Sequence, residues 1–147
     1  MIETRQRPRA QLHRLADRVL VAAYRTSGGR IPATAQSIPV LLLTTTGRRT
    51  GIPRTHPVAF GRDRGNLVVI GSNRGNDAVP AWVANLRADP AARIELGSDI
   101  QQVISIPALG AERDRLWQLM SARYPTYLTY HSTTTRVFPI FALMPIR

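Results

Sequence analysis

The 147-residue chain contains no cysteine. A disulfide framework, a thiolate metal site and a cysteine nucleophile are therefore excluded. It contains no lysine either, so all 20 basic residues are arginine. Carboxylates are scarce, nine in all, and form no pair suited to acid–base work. The histidines His13, His56 and His131 lack ligand-like spacing, so a histidine metal triad is not expected. Long apolar runs are missing: the stretch 40–43 is far too short to span a bilayer. The opening MIETRQRPRA has no apolar signal core, and a cytoplasmic protein is expected. The spacings GxxxxGK[ST], G-x-G-x-x-G and G-x-S-x-G are also absent. An enzyme built on this chain must take its chemistry from a cofactor.

Hydrophobic residues make up 44% of the chain, enough for the core of one compact domain. The net charge is +11. Its ordinary explanation is a solvated arginine surface. Its functional explanation is a polyanionic partner: nucleic acid, anionic lipid or a phosphate- or carboxylate-rich coenzyme.

Leu12, Leu15, Val19, Leu20 and Ala23 recur at helical spacing, which predicts a helix over residues 9–24 stopped by Ser27-Gly28-Gly29. Arg14 and Arg18 fall on its polar face. Residues 1–8 are expected to be flexible. Strands are expected over 40–46, 55–60, 67–72, 91–96, 101–106 and 137–143, with hairpin turns at GRRTG, RDRGN and Gly97-Ser98. Short helices are expected over 80–86 and 110–123, the second with Leu116, Trp117, Leu119 and Met120 inward. Strands do not alternate with crossover helices, so an antiparallel barrel with flanking helices is predicted, not a doubly wound dinucleotide fold.

Three segments carry chemistry. In residues 41–57, LLLTTTGRRTGIPRTHP, a glycine-bracketed turn bears Arg48, Arg49 and Thr50, and the next strand bears Arg54, Thr55 and His56. Backbone N–H groups, a hydroxyl and planar guanidinium forks suit an anion; the competing reading is a solvated turn. In residues 71–87, GSNRGNDAVPAWVANLR, a small polar cluster containing Ser72 and Asn73 follows a strand and precedes a proline-initiated helix. Trp82 there suits a core or a cofactor wall equally. In residues 123–136, RYPTYLTYHSTTTR, Tyr124, Tyr127 and Tyr130 repeat every three residues. They can pack as a lid or donate to an acceptor oxygen.

In this order and spacing the three segments resemble the deazaflavin-dependent nitroreductase family, over residues 38–145. The resemblance implies a split β-barrel (the FMN-binding split-barrel class, α+β or mainly β) occupying residues 31–147, behind an N-terminal segment and helix in 1–30. It implies coenzyme F(420), an 8-hydroxy-5-deazaflavin with a phosphate and an oligoglutamate tail, and hydride transfer to a quinone, an activated alkene or a nitro compound. Arg48, Arg49, Thr50 and Arg54 would grip the phosphate and acidic tail. Thr55, His56 and Pro57 would pass the ring system, Ser72 and Asn73 would lie beside it, and Trp82 and Asn85 would support the pocket. Tyr127 and Tyr130 would form the substrate-side lid and supply a proton, and Arg136 matches a basic residue after that lid. The chain departs from the family pattern at Ala78, Val79 and Val83 around the Pro-Ala-Trp, and at Arg74 in the preceding loop. FMN is the less favoured cofactor. The alternatives are an FMN- or haem-handling protein on the same barrel, or a basic nucleic-acid or membrane-binding module. The second leaves the tyrosines and the SNRG segment unexplained, so no nucleic acid is expected, while peripheral membrane contact through the first helix stays open. The sequence sets no oligomeric state.

Overall fold

The structure, a computed structural model, describes residues 7–29 and 38–146, with side chains of the first helix from Asp17 onward. The flexible start expected for residues 1–8 lies outside the described residues at 1–6, and residues 7 and 8 are already helical.

Helix α1 (Arg7–Thr26) precedes strands β1 (Val40–Thr46), β2 (Pro53–Asp63) and β3 (Asn66–Ile70). A single 3-10 turn (Asn73–Gly75) leads to α2 (Ala81–Ala88), then β4 (Ala91–Leu96) and β5 (Asp99–Pro107). Helices α3 (Gly110–Arg123) and α4 (Thr126–Ser132) precede β6 (Ile140–Pro145). The strands close into an antiparallel barrel in the order β1-β2-β3-β6-β5-β4, as the hairpin succession predicts. Several expected bounds shift: α1 and β5 are longer, and β3 ends at Ile70 instead of 72. Strand β2 is longer than expected because Pro53 and Arg54 still pair with Thr46 and Thr45. Strand β6 starts at Ile140 instead of 137, since Val137 is two-thirds exposed and Phe138 turns into the α3–α4 core.

The continuous apolar run of β1 has a simple cause. Leu41 and Leu43 enter the barrel core with Val58, Phe60, Ile94 and Leu143. Val40 and Leu42 face the other way, where α1 covers them with Val21 and Tyr24. A strand buried on both faces loses its polar alternation. Helix α2 plugs one part of the barrel core with Trp82, Val83 and Leu86. Helices α3 and α4 build a second core with Leu116, Met120, Tyr127, Phe138 and Ile140.

Helix α1 is fastened at its C-terminal end. Arg25 donates from Nε and Nη2 to both Glu95 carboxylate oxygens, at 3.0 and 2.9 Å. The Tyr24 hydroxyl donates to the Glu95 carbonyl and accepts from the Gly97 N–H. Hydrogen bonding from Arg25 holds the Glu95 carboxyl below its usual range despite opposing burial. A carboxyl lowered in the folded state stabilises fully above its unfolded pKa, and that contribution disappears as pH falls through the folded value. Glu95→Gln is therefore expected to cost about 1 kcal/mol at pH 7, less than a fully buried charge-assisted pair because Arg25 is half-exposed and screened by solvent. Urea unfolding should show that difference at pH 7 and shrink it towards zero as pH falls below the lowered folded-state value of Glu95, where both proteins carry a neutral side chain.

Candidate functional site

The β1–β2 turn is held in shape by its own hydrogen bonds and by α2. Gly47 N–H donates to the Ile52 carbonyl at 2.9 Å and Gly51 N–H to the Gly47 carbonyl at 2.8 Å. Gly51 has φ +69°, in the left-handed region that favours glycine. Asn85 of α2 pins the turn from below: its Oδ1 accepts from Arg48 N–H at 3.1 Å and its Nδ2 donates to Thr45 Oγ1 at 3.0 Å. Thr50 Oγ1 accepts from Ile52 N–H, which leaves its own proton to donate. The N–H groups of Arg49 and Thr50 have no acceptor among the described residues.

This turn forms one wall of a cavity of about 640 Å³. Strand β2 adds Arg54, Thr55 and His56, and α2 adds Ala81 and Asn85. Helix α1 supplies the facing wall with Asp17, Arg18, Val21 and Arg25. The acids near the cavity are already engaged. Asp17 Oδ2 accepts from His56 Nδ1 at 2.8 Å, and Glu95 is held by Arg25. Arg18, Arg48, Arg49 and Arg54 have no carboxylate partner among the described residues. Guanidinium forks, two free N–H groups and a hydroxyl fit a long anion of phosphate and carboxylates.

Six of the sequence-predicted residues, Arg48, Arg49, Thr50, Arg54, Thr55 and His56, are thus brought together, with Asn85 beneath them. Pro57 follows on β2, opposite Leu42. Thr55 also bonds across the strand pair to Thr44, Oγ1 to Oγ1, at 2.8 Å. Sequence reasoning left the α1 contribution out. Arg18 was visible on the polar face of α1, but nothing in the pattern said that this face looks onto a turn 30 residues later.

The other predicted residues lie outside that cavity. Trp82 is buried in the barrel core, edge-on to Phe141 with ring centroids 6.1 Å apart. Its packing anchors α2, the helix that carries Asn85, on the barrel core. Ser72 is buried and opens the 3-10 turn, and Asn73 donates to the Ala78 carbonyl at 2.9 Å. This turn packs on α4, where Thr133 Oγ1 donates to the Gly75 carbonyl at 3.0 Å. Tyr124, Tyr127 and Tyr130 do gather, in edge-on pairs with centroids 6.5 and 6.3 Å apart. Tyr127 is only 2% exposed and sits in the α3–α4 core, while Tyr130 is half-buried at its margin. Burial, followed by the charges of Tyr130 and Tyr124, pushes the Tyr127 phenol well above its ordinary value, so it stays protonated.

Among the described residues no cluster of histidine and carboxylate could hold a metal ion, and no helix is long and apolar enough to cross a membrane.

Comparison with known proteins places this geometry. The profile of the F(420)H(2)-dependent quinone reductases matches residues 16–145. An F(420)H(2)-dependent quinone reductase of Mycobacterium tuberculosis is 34% identical over 136 residues, covering 90% of this chain and 89% of that protein. A solved F(420)-H(2)-dependent reductase is 29% identical with a TM-score of 0.65, covering 71% of this chain and 93% of the other. A structure described as a domain-swapped dimer is 25% identical with a TM-score of 0.67, over 92% and 98% of the two chains. A haem storage protein from Vibrio cholerae, 15% identical at a TM-score of 0.57, shares the fold alone. The resemblance read from the three segments and the split-barrel expectation are both borne out. The chain belongs to the F(420)H(2)-dependent quinone reductase family.

Proposed function

We propose that this protein, an oxidoreductase using reduced coenzyme F(420) and a quinone-type acceptor, seats the phosphate and acidic tail of the coenzyme in the α1–turn cavity and brings the acceptor to the Tyr130 side. The observation that carries the reading is the cavity wall. Four arginines without carboxylate partners, two N–H groups without an acceptor and the Thr50 hydroxyl lie there, while the neighbouring acids Asp17 and Glu95 are already hydrogen-bonded to His56 and Arg25. A single phosphate, as in FMN, would leave much of this positive charge uncompensated.

When bound, the reduced deazaflavin supplies a hydride. The chain supplies placement and electrostatics. Arg48, Arg49 and Arg54 would hold the phosphate and acidic tail, Thr55, His56 and Pro57 would meet the ring from β2, and Ser72 and Asn73 would meet it from the loop. Trp82 and Asn85 hold α2 and the turn in register. The Tyr130 hydroxyl donates to the acceptor oxygen that gains negative charge, and solvent restores its proton. Tyr127 supports Tyr130 through its edge-on packing, and its raised pKa makes its hydroxyl a donor and not a base. Holding the acceptor close over the ring and excluding water account for most of the acceleration in such a design.

Fluorescence titration should show tighter binding of F(420) than of FMN. The reduced coenzyme should then be oxidised by a panel of quinones, activated alkenes and nitro compounds. Equal or tighter FMN binding would overturn the tail assignment. The panel also decides which acceptor class is preferred. Within this proposal the barrel of residues 31–147 binds the coenzyme together with α1, which supplies Arg18 and Arg25 to the cavity; the protein works in the cytoplasm, and residues 1–9 are dispensable for coenzyme binding. Removing residues 1–9 should leave F(420) affinity unchanged. Co-sedimentation of the full-length chain and of a variant with Arg14 and Arg18 replaced by Gln, with anionic vesicles, tests whether α1 also meets a membrane.

A further inference from the structure

Residues 71–77 and 130–136 are joined more heavily than two surface segments need to be, and Arg136 is the centre of that junction. Its Nη1 donates to the Gly71 carbonyl at 2.9 Å. Its Nη2 donates to the carbonyls of Ser72 and Asn76 at 3.0 and 2.8 Å, and Nε reaches Asn76 at 3.3 Å. The guanidinium lies over the Phe138 ring, 4.8 Å from its centroid. Two threonines add to the clamp. Thr134 Oγ1 donates to Asp77 Oδ1 at 2.7 Å, and Thr133 Oγ1 lies within hydrogen-bond distance of the carbonyls of Gly75 and Tyr130.

The clamped loop is strained. Asn73, Arg74 and Gly75 are all left-handed, at φ 45°, 54° and 79°. Only Gly75 does so without a steric penalty, and it must be glycine for a second reason. A Cβ there would lie 2.3 Å from Thr133 Oγ1 and 2.7 Å from the Tyr130 carbonyl. A loop of this kind keeps its shape only when its surroundings over-determine it. Three carbonyls facing one way call for a planar, multiply donating cation, which a lysine ammonium cannot replace.

We infer that Arg136 is a positioning residue for the reduction: by locking the strained 71–76 loop to the segment that follows α4, beside the Thr133 contact at the end of that helix, it fixes the separation between Ser72 and Tyr130. This inference rests on the proposal that Ser72 borders the coenzyme and Tyr130 the acceptor. Arg136 does not line the arginine-rich cavity. Its loss should therefore disturb alignment and leave tail binding intact.

The test compares full-length wild type with Arg136→Lys and Arg136→Ala for thermal midpoint, F(420) dissociation constant, kcat and KM. Folded Arg136→Lys is expected to bind F(420) within about threefold of wild type while kcat falls about tenfold or more, the scale of a small misplacement of reacting groups. Guanidinium ion added to Arg136→Ala should restore part of kcat, with no effect on wild type. Should Arg136→Ala fail to fold, Thr133→Val provides the same readout through the Gly75 contact and should lower kcat in the same sense. A folded Arg136→Lys protein with kcat within about twofold of wild type would overturn the inference. So would a loss of turnover that follows coenzyme affinity alone. Wild type that fails to bind F(420) would instead overturn the underlying assignment, which the titration reveals before any variant is made.

Discussion

Arg49→Ala and Arg54→Ala are each expected to raise the F(420) dissociation constant by about ten- to a hundredfold, equivalent to ~1.5–3 kcal/mol for a lost charge-assisted contact. Both side chains are exposed and have no carboxylate partner among the described residues. Their removal should leave the thermal midpoint of the protein without coenzyme nearly unchanged, so an affinity loss reads directly as a lost contact. Arg48→Ala should be milder in one respect. The backbone N–H of Arg48 is what Asn85 holds, and that bond survives truncation of the side chain. The interaction is largely electrostatic, so the wild-type advantage should narrow as salt is raised. Fluorescence titrations of the two variants in low and moderate salt check this. An unchanged constant at both positions would place the phosphate elsewhere than the β1–β2 turn.

The turn was legible because its chemistry is local. Two glycines, two arginines and a threonine within five residues define both the backbone shape and the donor set. The barrel was legible for a similar reason, since hairpin turns at GRRTG, RDRGN and Gly97-Ser98 join strands that pair in sequence order. What a pattern cannot show is which faces meet. Asp17 and His56 are 39 residues apart, and no spacing rule connects a helix face to a strand end. Hence Arg18 was visible as a surface arginine and not as a wall of the cavity. The tyrosine segment is divided by depth: a period of three puts Tyr124, Tyr127 and Tyr130 on one side of a turn, but packing against Trp117 and Phe138 sends the middle ring inward. The later start of the last strand has the same origin, because Phe138 packs against Trp117 in the second core and not in the barrel wall.

Tyr130→Phe is expected to lower turnover by about 10²-fold or more, with F(420) affinity unchanged, if its hydroxyl is the main donor to the acceptor oxygen. The placement of the ring supports a split between turnover and binding. Tyr130 stands on α4, half-buried at the edge of the second core and outside the arginine-lined cavity. Removing one oxygen leaves its ring packed edge-on to Tyr127, so the helix has no reason to move. Tyr127→Phe should behave differently. That residue is only 2% exposed, and the ring, not the hydroxyl, supplies its packing with Tyr124, Tyr130 and Trp117. A milder drop in turnover is expected there, of about tenfold or less. If the two hydroxyls share the donation, the double variant will lose more than either single change, and the departure from additivity measures their coupling. Single-turnover oxidation of the reduced coenzyme separates the chemical step from acceptor binding. Full turnover of Tyr130→Phe on every quinone, alkene and nitro acceptor tried, or a loss of coenzyme affinity instead of rate, would move Tyr130 off the acceptor side and leave placement over the ring as the chain's main catalytic contribution.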